Sequence, residues 1–354
     1  MKKKVIIISL VLCLSCLSMI VLYIYSNRNS NVKNGFVRTF SKEKILLKGK
    51  AVLVQNSYAI ADISPEIITI YNALKPYEIT TITTDFKSQN TYKLPFPTDK
   101  EKLFGLNKLA FIGSSKILLT GRTAAAYATN ANPKSLKTSQ LDRTPFYNSE
   151  ILNPNSFVFV SKKMEGKAKR KELKRVNWQG KELYSYLPEK QIDGYYCTDG
   201  QLSYDTDAKL LTYMFYYRGE FICLDTLLNV VYHAKTIDTV KYAKIKLKHA
   251  TQLVNGKKIN KAVPSTPPNV VNKRICMTAD KVYMHSNLKA DNETSEDFNN
   301  SQVIDVYDLK NGQYTVSFYL PRVDKKSLTA FRVYKNSLIA LYHNTLVMFD
   351  LNTR

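Results

Sequence analysis

Five times along this 354-residue chain a strand-like apolar run ends on Asp or Asn, crosses a short polar turn and gives way to a second strand-like run, and a sixth time the run and its mark occur without the second run. The pattern lies in ITTITTDFKSQNTYKLPF around Asp85, LKRVNWQGKELYSYLP around Asn177, FICLDTLLNVVYHA around Asp225 and VIDVYDLKNGQYTVSFYLP around Asp308. A weaker copy sits near Asn130 and a shortened one, LVMFDLNTR, at Asp350. Taken in order, Asp85, Asn130, Asn177, Asp225, Asp308 and Asp350 stand 45, 47, 48, 83 and 42 residues apart. A small sheet cannot bury both of its faces alone, and repeats of about 40 to 50 residues built from short strands solve this by closing into a β-propeller.

The patterning between the marks agrees. In YTVSFYL, Tyr314, Val316, Phe318 and Leu320 fall on one face and Thr315, Ser317 and Tyr319 on the other, the period of a strand. SFVFV from Ser156 and LLTYMFYY from Leu210 are apolar on both faces, as strands are when covered on both sides. Nothing in residues 36–354 reads as a long amphipathic helix, and 24 Tyr with 15 Phe suit strands. The fold class is therefore all-β, a six-bladed propeller, with seven blades as the alternative if a degenerate blade lies near residue 265. Six is preferred because KHATQLVNGKKINKAVPSTPPN, with three prolines and one glycine, reads as a long connection. The last repeat lacks its outer strand, which is expected from Phe36 to Leu47 and would remove an open sheet edge.

Ahead of the repeats, residues 5–25 read VIIISLVLCLSCLSMIVLYIY behind Lys2, Lys3 and Lys4. As a helix this run spans about 31 Å, the thickness of a bilayer core. It is longer than the apolar region of a cleaved signal and leaves through Tyr23, Ile24 and Tyr25 rather than a small-residue site. It reads as an uncleaved signal-anchor, with lipidation at Cys16 as the alternative. Residues 1–26 are thus the anchor, 27–35 a polar tether and 36–354 the propeller. Arg28, Lys33 and Arg38 nearly balance the leading lysines, but the short leading segment and the ease with which long domains translocate favour a cytoplasmic N-terminus. The propeller is expected in the periplasm, on a single-pass inner-membrane protein.

Net charge is +23, yet the excess is spread out and is dense only from Lys162 to Arg175, which reads as an exposed hairpin tip. Attraction to anionic lipid or surface polysaccharide is compatible with that; a nucleic-acid partner is not expected, since no recognition module is present. Outside the anchor only Cys197, Cys223 and Cys276 occur, too few for a disulfide framework. Whether Cys197 and Cys276 pair stays open.

The stretches DGYYCTDG at 193–200, FICLDTLLNVVY at 221–232, and PPNVVNK with VIDVYDLKNGQYTVSFYLP between 267 and 321 resemble uncharacterised, membrane-anchored propeller proteins of Bacteroidota in the loose TolB-like six-bladed group. The resemblance covers about half of the chain. It implies the fold and a cell-envelope location and carries no reaction.

Chemistry is sparse. His233, His249, His285 and His343 are far apart and lack zinc spacing, and no nucleophile elbow, P-loop or dinucleotide motif occurs. No cofactor is implied. DNETSEDFNN places Asp291, Glu293, Ser295 and Asp297 in alternation, without the turn glycine and closing glutamate of a calcium loop, and reads as a solvated insertion. Arg122 and Arg218 end second-strand runs of two repeats, and Lys273 and Arg274 precede the first strand of another. Together with Tyr216 and Tyr217 they are candidates to hold an anionic ligand at the channel mouth. The sequence thus describes a non-enzymatic envelope module for a protein, peptide or glycan partner, with a channel-centred hydrolase or lyase as the alternative.

Overall fold

The computed structural model describes residues 2–30, 33–42, 45–99, 107–166, 168–254 and 257–351. A helix runs from Lys2 to Ser30 and contains the span Ile6–Tyr23, apolar and long enough to cross a membrane and not buried against the rest of the chain. It extends through Asn27–Ser30, which the sequence reading had placed in the tether.

Among the described residues, the strands form six four-stranded antiparallel sheets and one separate two-stranded hairpin. Blade 1 spans residues 58–93, blade 2 107–140, blade 3 149–186, blade 4 200–235 and blade 5 272–321. Blade 6 takes three strands from Ala330–Tyr334, Ser337–Tyr342 and Thr345–Asp350. First strands of successive blades touch one another around a closed ring, blade 6 against blade 1 included, so these strands surround the channel. Each blade is a meander. Its turns between first and second and between third and fourth strands therefore share one face. Turns between second and third strands, with the links between blades, occupy the other, called here the connection face.

The six marks lie at the end of the third strand of each blade or just after it, and most make Asx turns. Asp85, Asn130, Asp225 and Asp308 each accept from a backbone N–H two residues on, at 3.1, 3.1, 2.8 and 2.7 Å, and Asn177 accepts from Lys181 at 2.9 Å. A side chain that satisfies its own turn in this way favours a tight corner. Between blades lie six apolar clusters, each shared by two neighbours. The cluster joining blades 6 and 1 sets Ile339, Leu341 and Leu346 against Ile60, Ile68 and Ile70. Second strands, such as Ser156–Glu165 and Leu210–Phe215, and third strands, such as Glu220–Asp225, are largely buried.

Two expectations are corrected. The outer strand of blade 6 is Leu46–Val52, paired antiparallel with Thr345–Asp350 from Leu46 opposite Asp350 to Val52 opposite Thr345, rather than Phe36–Leu47. The preceding residues run instead along the outer edge of blade 5, where Phe40 pairs in parallel with Ser317 and stacks on Tyr319. The long interval before Asp308 holds two strands that were not foreseen, Leu247–Val254 and Lys257–Pro264. They pair only with each other, so they add a hairpin to the link and no seventh blade.

Arg38 fixes the entering chain. Its guanidinium is fully buried, with Nε and Nη2 on the two Asp305 oxygens at 2.7 and 3.0 Å, Nη1 on Glu293 and on the Leu288 carbonyl, and Nη2 also on Ser286. Burial alone would lower its pKa; hydrogen bonds and charges from Asp305 and Glu293 outweigh that and raise it. The DNETSEDFNN loop is therefore a socket for the chain's own N-terminal segment rather than a solvated insertion. Asp291 accepts from the Asn34 and Gly35 amides, and Asn292 exchanges hydrogen bonds with the Arg38 backbone. Thr294 caps the short helix Ser295–Asn300. Replacing Arg38 with Ala strands two buried carboxylates, and the full chain should lose about 3–5 kcal/mol in denaturant unfolding. Val37→Ala, at the exposed neighbour, should change stability by less than about 0.5 kcal/mol.

Candidate functional site

The residues singled out from the sequence fall on the connection face but serve different ends. Arg122 is exposed on the second-to-third-strand corner of blade 2. Arg218 holds the same corner of blade 4, yet it is buried: its guanidinium stacks on Phe215, lies 2.9 Å from Glu220 and donates to the Glu189 carbonyl. These contacts engage the guanidinium within the corner itself. Tyr216 belongs to that corner too, and its carbonyl accepts from the Val271 and Asn272 amides, which ties it to the strand Asn272–Met277 carrying Lys273 and Arg274. Cys197, Cys223 and Cys276 are buried free thiols, so Cys197 and Cys276 do not pair.

At the mouth between blades 3 and 4 the structure assembles a constellation the sequence did not show. Lys171, on the third strand of blade 3, reaches the link before blade 4 and pairs with Asp199. Its ammonium lies 4.6 Å from the Tyr147 ring centroid and 5.1 Å from that of Tyr195, and the two hydroxyls share a 2.7 Å hydrogen bond. Tyr196 packs edge-on against Tyr195, and Tyr216 against Tyr217. Asp193 organises the loop by accepting from the Tyr195 and Tyr196 amides at 2.6 Å. Gly200 lets the next strand start close by, since a Cβ there would run into the Met214 carbonyl. Burial lowers the Lys171 pKa, opposed by Asp199. Burial, then Asp199, pushes Tyr216 up to about 12, so its phenol stays neutral. The inserted hairpin adjoins this surface through Tyr196, whose hydroxyl donates to Ala262, and through Ala243, Ile245 and Leu247 packed around Cys197 and Tyr217.

Where blades 5 and 6 meet on the same face, three cations, Lys273, Arg274 and Arg322, gather about His285. Arg274 pairs in register with His285 on the next strand and donates to the Thr329 carbonyl at 2.8 Å. Lys273 bulges out of the same strand, and Arg322 follows the fourth strand of blade 5. Burial lowers the Lys273 pKa, and the charges acting on it, Arg322 and Arg274, push the same way. His285 is buried and is held down to about 3, by burial first and then by Lys273, Arg274 and Arg322, while a hydrogen bond to Gln302 opposes them.

Inside the channel, Lys108 of blade 2 and Glu150 of blade 3 pair at 2.7 Å. Among the described residues no three His, Cys, Asp or Glu side chains gather closely enough to hold a metal ion. A cleft of about 380 Å³ lies away from the channel, between blades 2 and 3, lined by Asp142, Arg143, Lys174 and Glu182 among others; Lys174 there sits 3.4 Å from both Asp142 and Glu182.

No family model and no curated protein matches the chain. Among solved structures, a member of the DUF4221 family from Bacteroides vulgatus superposes with a TM-score of 0.53 at 10% identity, over 90% of this chain and 98% of that one. BamB from Moraxella catarrhalis gives 0.40 at 11% identity, over 89% and 100%. A catalytically inactive virginiamycin B lyase from Staphylococcus aureus gives 0.47 at 13%, over 87% and 100%. At such identities the first likeness speaks for the fold alone, and the other two scores carry no argument. The class is a six-bladed β-propeller behind one apolar helix.

The His285 shift predicts acid sensitivity. The unfolded chain takes up a proton near pH 6.5 that the folded chain refuses until about pH 3, so this contribution is complete above pH 6.5 and is lost as the pH falls. Unfolding free energy should drop by about 2 kcal/mol between pH 6.5 and 5 from this group. In His285→Phe that part of the slope should vanish, as measured by denaturant titration at each pH.

Proposed function

We propose that the protein is a membrane-anchored, non-enzymatic propeller of the cell envelope whose connection face binds a protein, peptide or glycan partner. The observation that carries this reading is the surface at the mouth between blades 3 and 4: five half-buried tyrosine rings around a Lys171–Asp199 pair. Rings of this kind offer large, rigid contact area with a polar tip and little side-chain entropy to lose, which is why they concentrate at binding surfaces. A hydrolase or lyase in the channel draws less support, since Lys108 and Glu150 there are engaged with each other.

The anchor completes the reading. Asn34 is docked on Asp291, in the second-to-third-strand corner of blade 5, and Thr239, in the link between blades 4 and 5, donates to its carbonyl. Only four peptide bonds separate it from Ser30, at most about 14 Å of chain, so the connection face is held near the end of the helix. That face is also rimmed with positive charge. Residues 239–272 carry seven lysines and no Asp or Glu, and Lys244, Lys246, Lys248 and Lys258 are exposed. A partner at an anionic membrane surface suits this placement.

Two measurements test the proposal. The protein should stay in the membrane pellet after carbonate washing, and protease added to spheroplasts should digest the propeller; a soluble form beginning near Ser26 would defeat the anchor. In intact membranes, Tyr195→Ala with Tyr217→Ala should reduce cross-linking to the partner at least tenfold. Lys310→Ala, on the opposite face, should leave it unchanged, and equal cross-linking by both variants would sink the assignment of the face.

A further inference from the structure

The corner between blades 5 and 6 concentrates positive charge around buried donors that find no partner among the described residues. Lys273 and Arg274 come from the innermost strand, His285 from the second, Gln302 from the third and Arg322 from the link to blade 6. Their convergence is fixed by backbone pairing. Arg274 stands opposite His285, His285 opposite Ile304, two residues from Gln302, and the Arg322 amide meets the Asn300 carbonyl beside that strand. Among the described residues two donor nitrogens here are buried without a hydrogen-bond partner, Nε2 of Gln302 and Nε of Arg322, while neutral His285 keeps only one N–H to give. The Gln302 and His285 side chains are nearly inaccessible. A buried orphan donor costs about 1–3 kcal/mol, and placing it beside mutually repelling cations compounds the cost. One oxyanion would relieve both, by accepting from the donors and neutralising the cations.

We propose that this corner is an anion-binding site that takes one phosphate or carboxylate group through Lys273, Arg274, Arg322 and the Gln302 amide. The site rests on the reading of the connection face as a binding surface, and it specifies the charge of what that face takes up. It retains Lys273 and Arg274 from the sequence candidates. In place of Arg218, which is committed to Glu220, it uses Arg322.

The test is a thermal melt of the full chain in detergent with inorganic phosphate or acetate against sodium chloride at matched ionic strength. At about ten times the dissociation constant the favoured anion should raise Tm by about 2–4 °C over chloride; a response to phosphate names a phosphoryl group, and one to acetate a carboxylate. Arg322→Gln and Lys273→Gln should each abolish the increment. In chloride they should melt no lower than wild type, because each removes a repelling charge, so loss of response cannot be confused with misfolding. Arg122→Gln should keep the full increment. A wild-type Tm indifferent to both anions, or an increment that survives in Arg322→Gln, overturns the site. Cross-linking through the tyrosine face is read separately, so failure there alone removes the partner reading and leaves the melt to judge the anion site.

Discussion

Everything in this molecule depends on one pairing between residues about 300 positions apart, Leu46–Val52 against Thr345–Asp350. Without it blade 6 ends on an exposed strand edge, and the apolar cluster that joins blade 6 to blade 1 loses its covering. Closing so long a loop is entropically unfavourable, but the penalty grows only with the logarithm of length, whereas the contact surface gained is that of a whole blade boundary. Lys48 at 3.0 Å from Asp350 puts the sixth mark to a second use. In the other blades this position shapes a turn; here it tethers the closing strand.

Arg38 makes the closing strand arrive in one register. An ion pair as buried as Arg38 with Asp305 and Glu293 gains little net stability over an apolar replacement, so its value lies in specificity. Along blade 5 this position offers two carboxylates, a carbonyl and a hydroxyl to the guanidinium. With residues 34–41 seated there, a few residues more bring the chain to the edge of Thr345–Asp350. The same seat decides where the apolar helix leaves the propeller, and so a contact made for folding also sets which face is held next to the helix.

The repeat was legible in the sequence because it is local. An Asp or Asn that accepts from an amide two residues on, flanked by apolar runs, leaves a mark that needs no knowledge of the rest of the chain, and the blade count followed from spacing. What escaped was non-local. Phe36–Leu47 was assigned to blade 6 because the last repeat lacked an outer strand, while the structure divides it, because Arg38 has partners some 250 residues away that no local pattern reveals. Asp291 and Glu293 looked like a solvated loop for the same reason. Lys171 was hidden in a basic run that reads as surface, although two tyrosines and an aspartate from neighbouring links bury it. Lys273 and Arg274 were visible as cations at a strand start, whereas His285, Gln302 and Arg322 join them only through sheet register.

The two faces of the ring differ for a physical reason that bears on function. On the face of the Asx turns, corners of two to seven residues satisfy their own backbone groups and leave short, self-contained loops. The connection face must span from the rim of one blade to the channel of the next, so its links are longer and free to carry insertions such as the hairpin at 247–264. Long links place aromatic and charged side chains over the ends of the innermost strands, where they meet residues from the adjacent blade. There the tyrosines of blades 3 and 4 converge on Lys171, and the cations of blades 5 and 6 converge on His285. The chemistry that the sequence distributes over some 180 residues is brought to one face because each blade returns its chain there before starting the next.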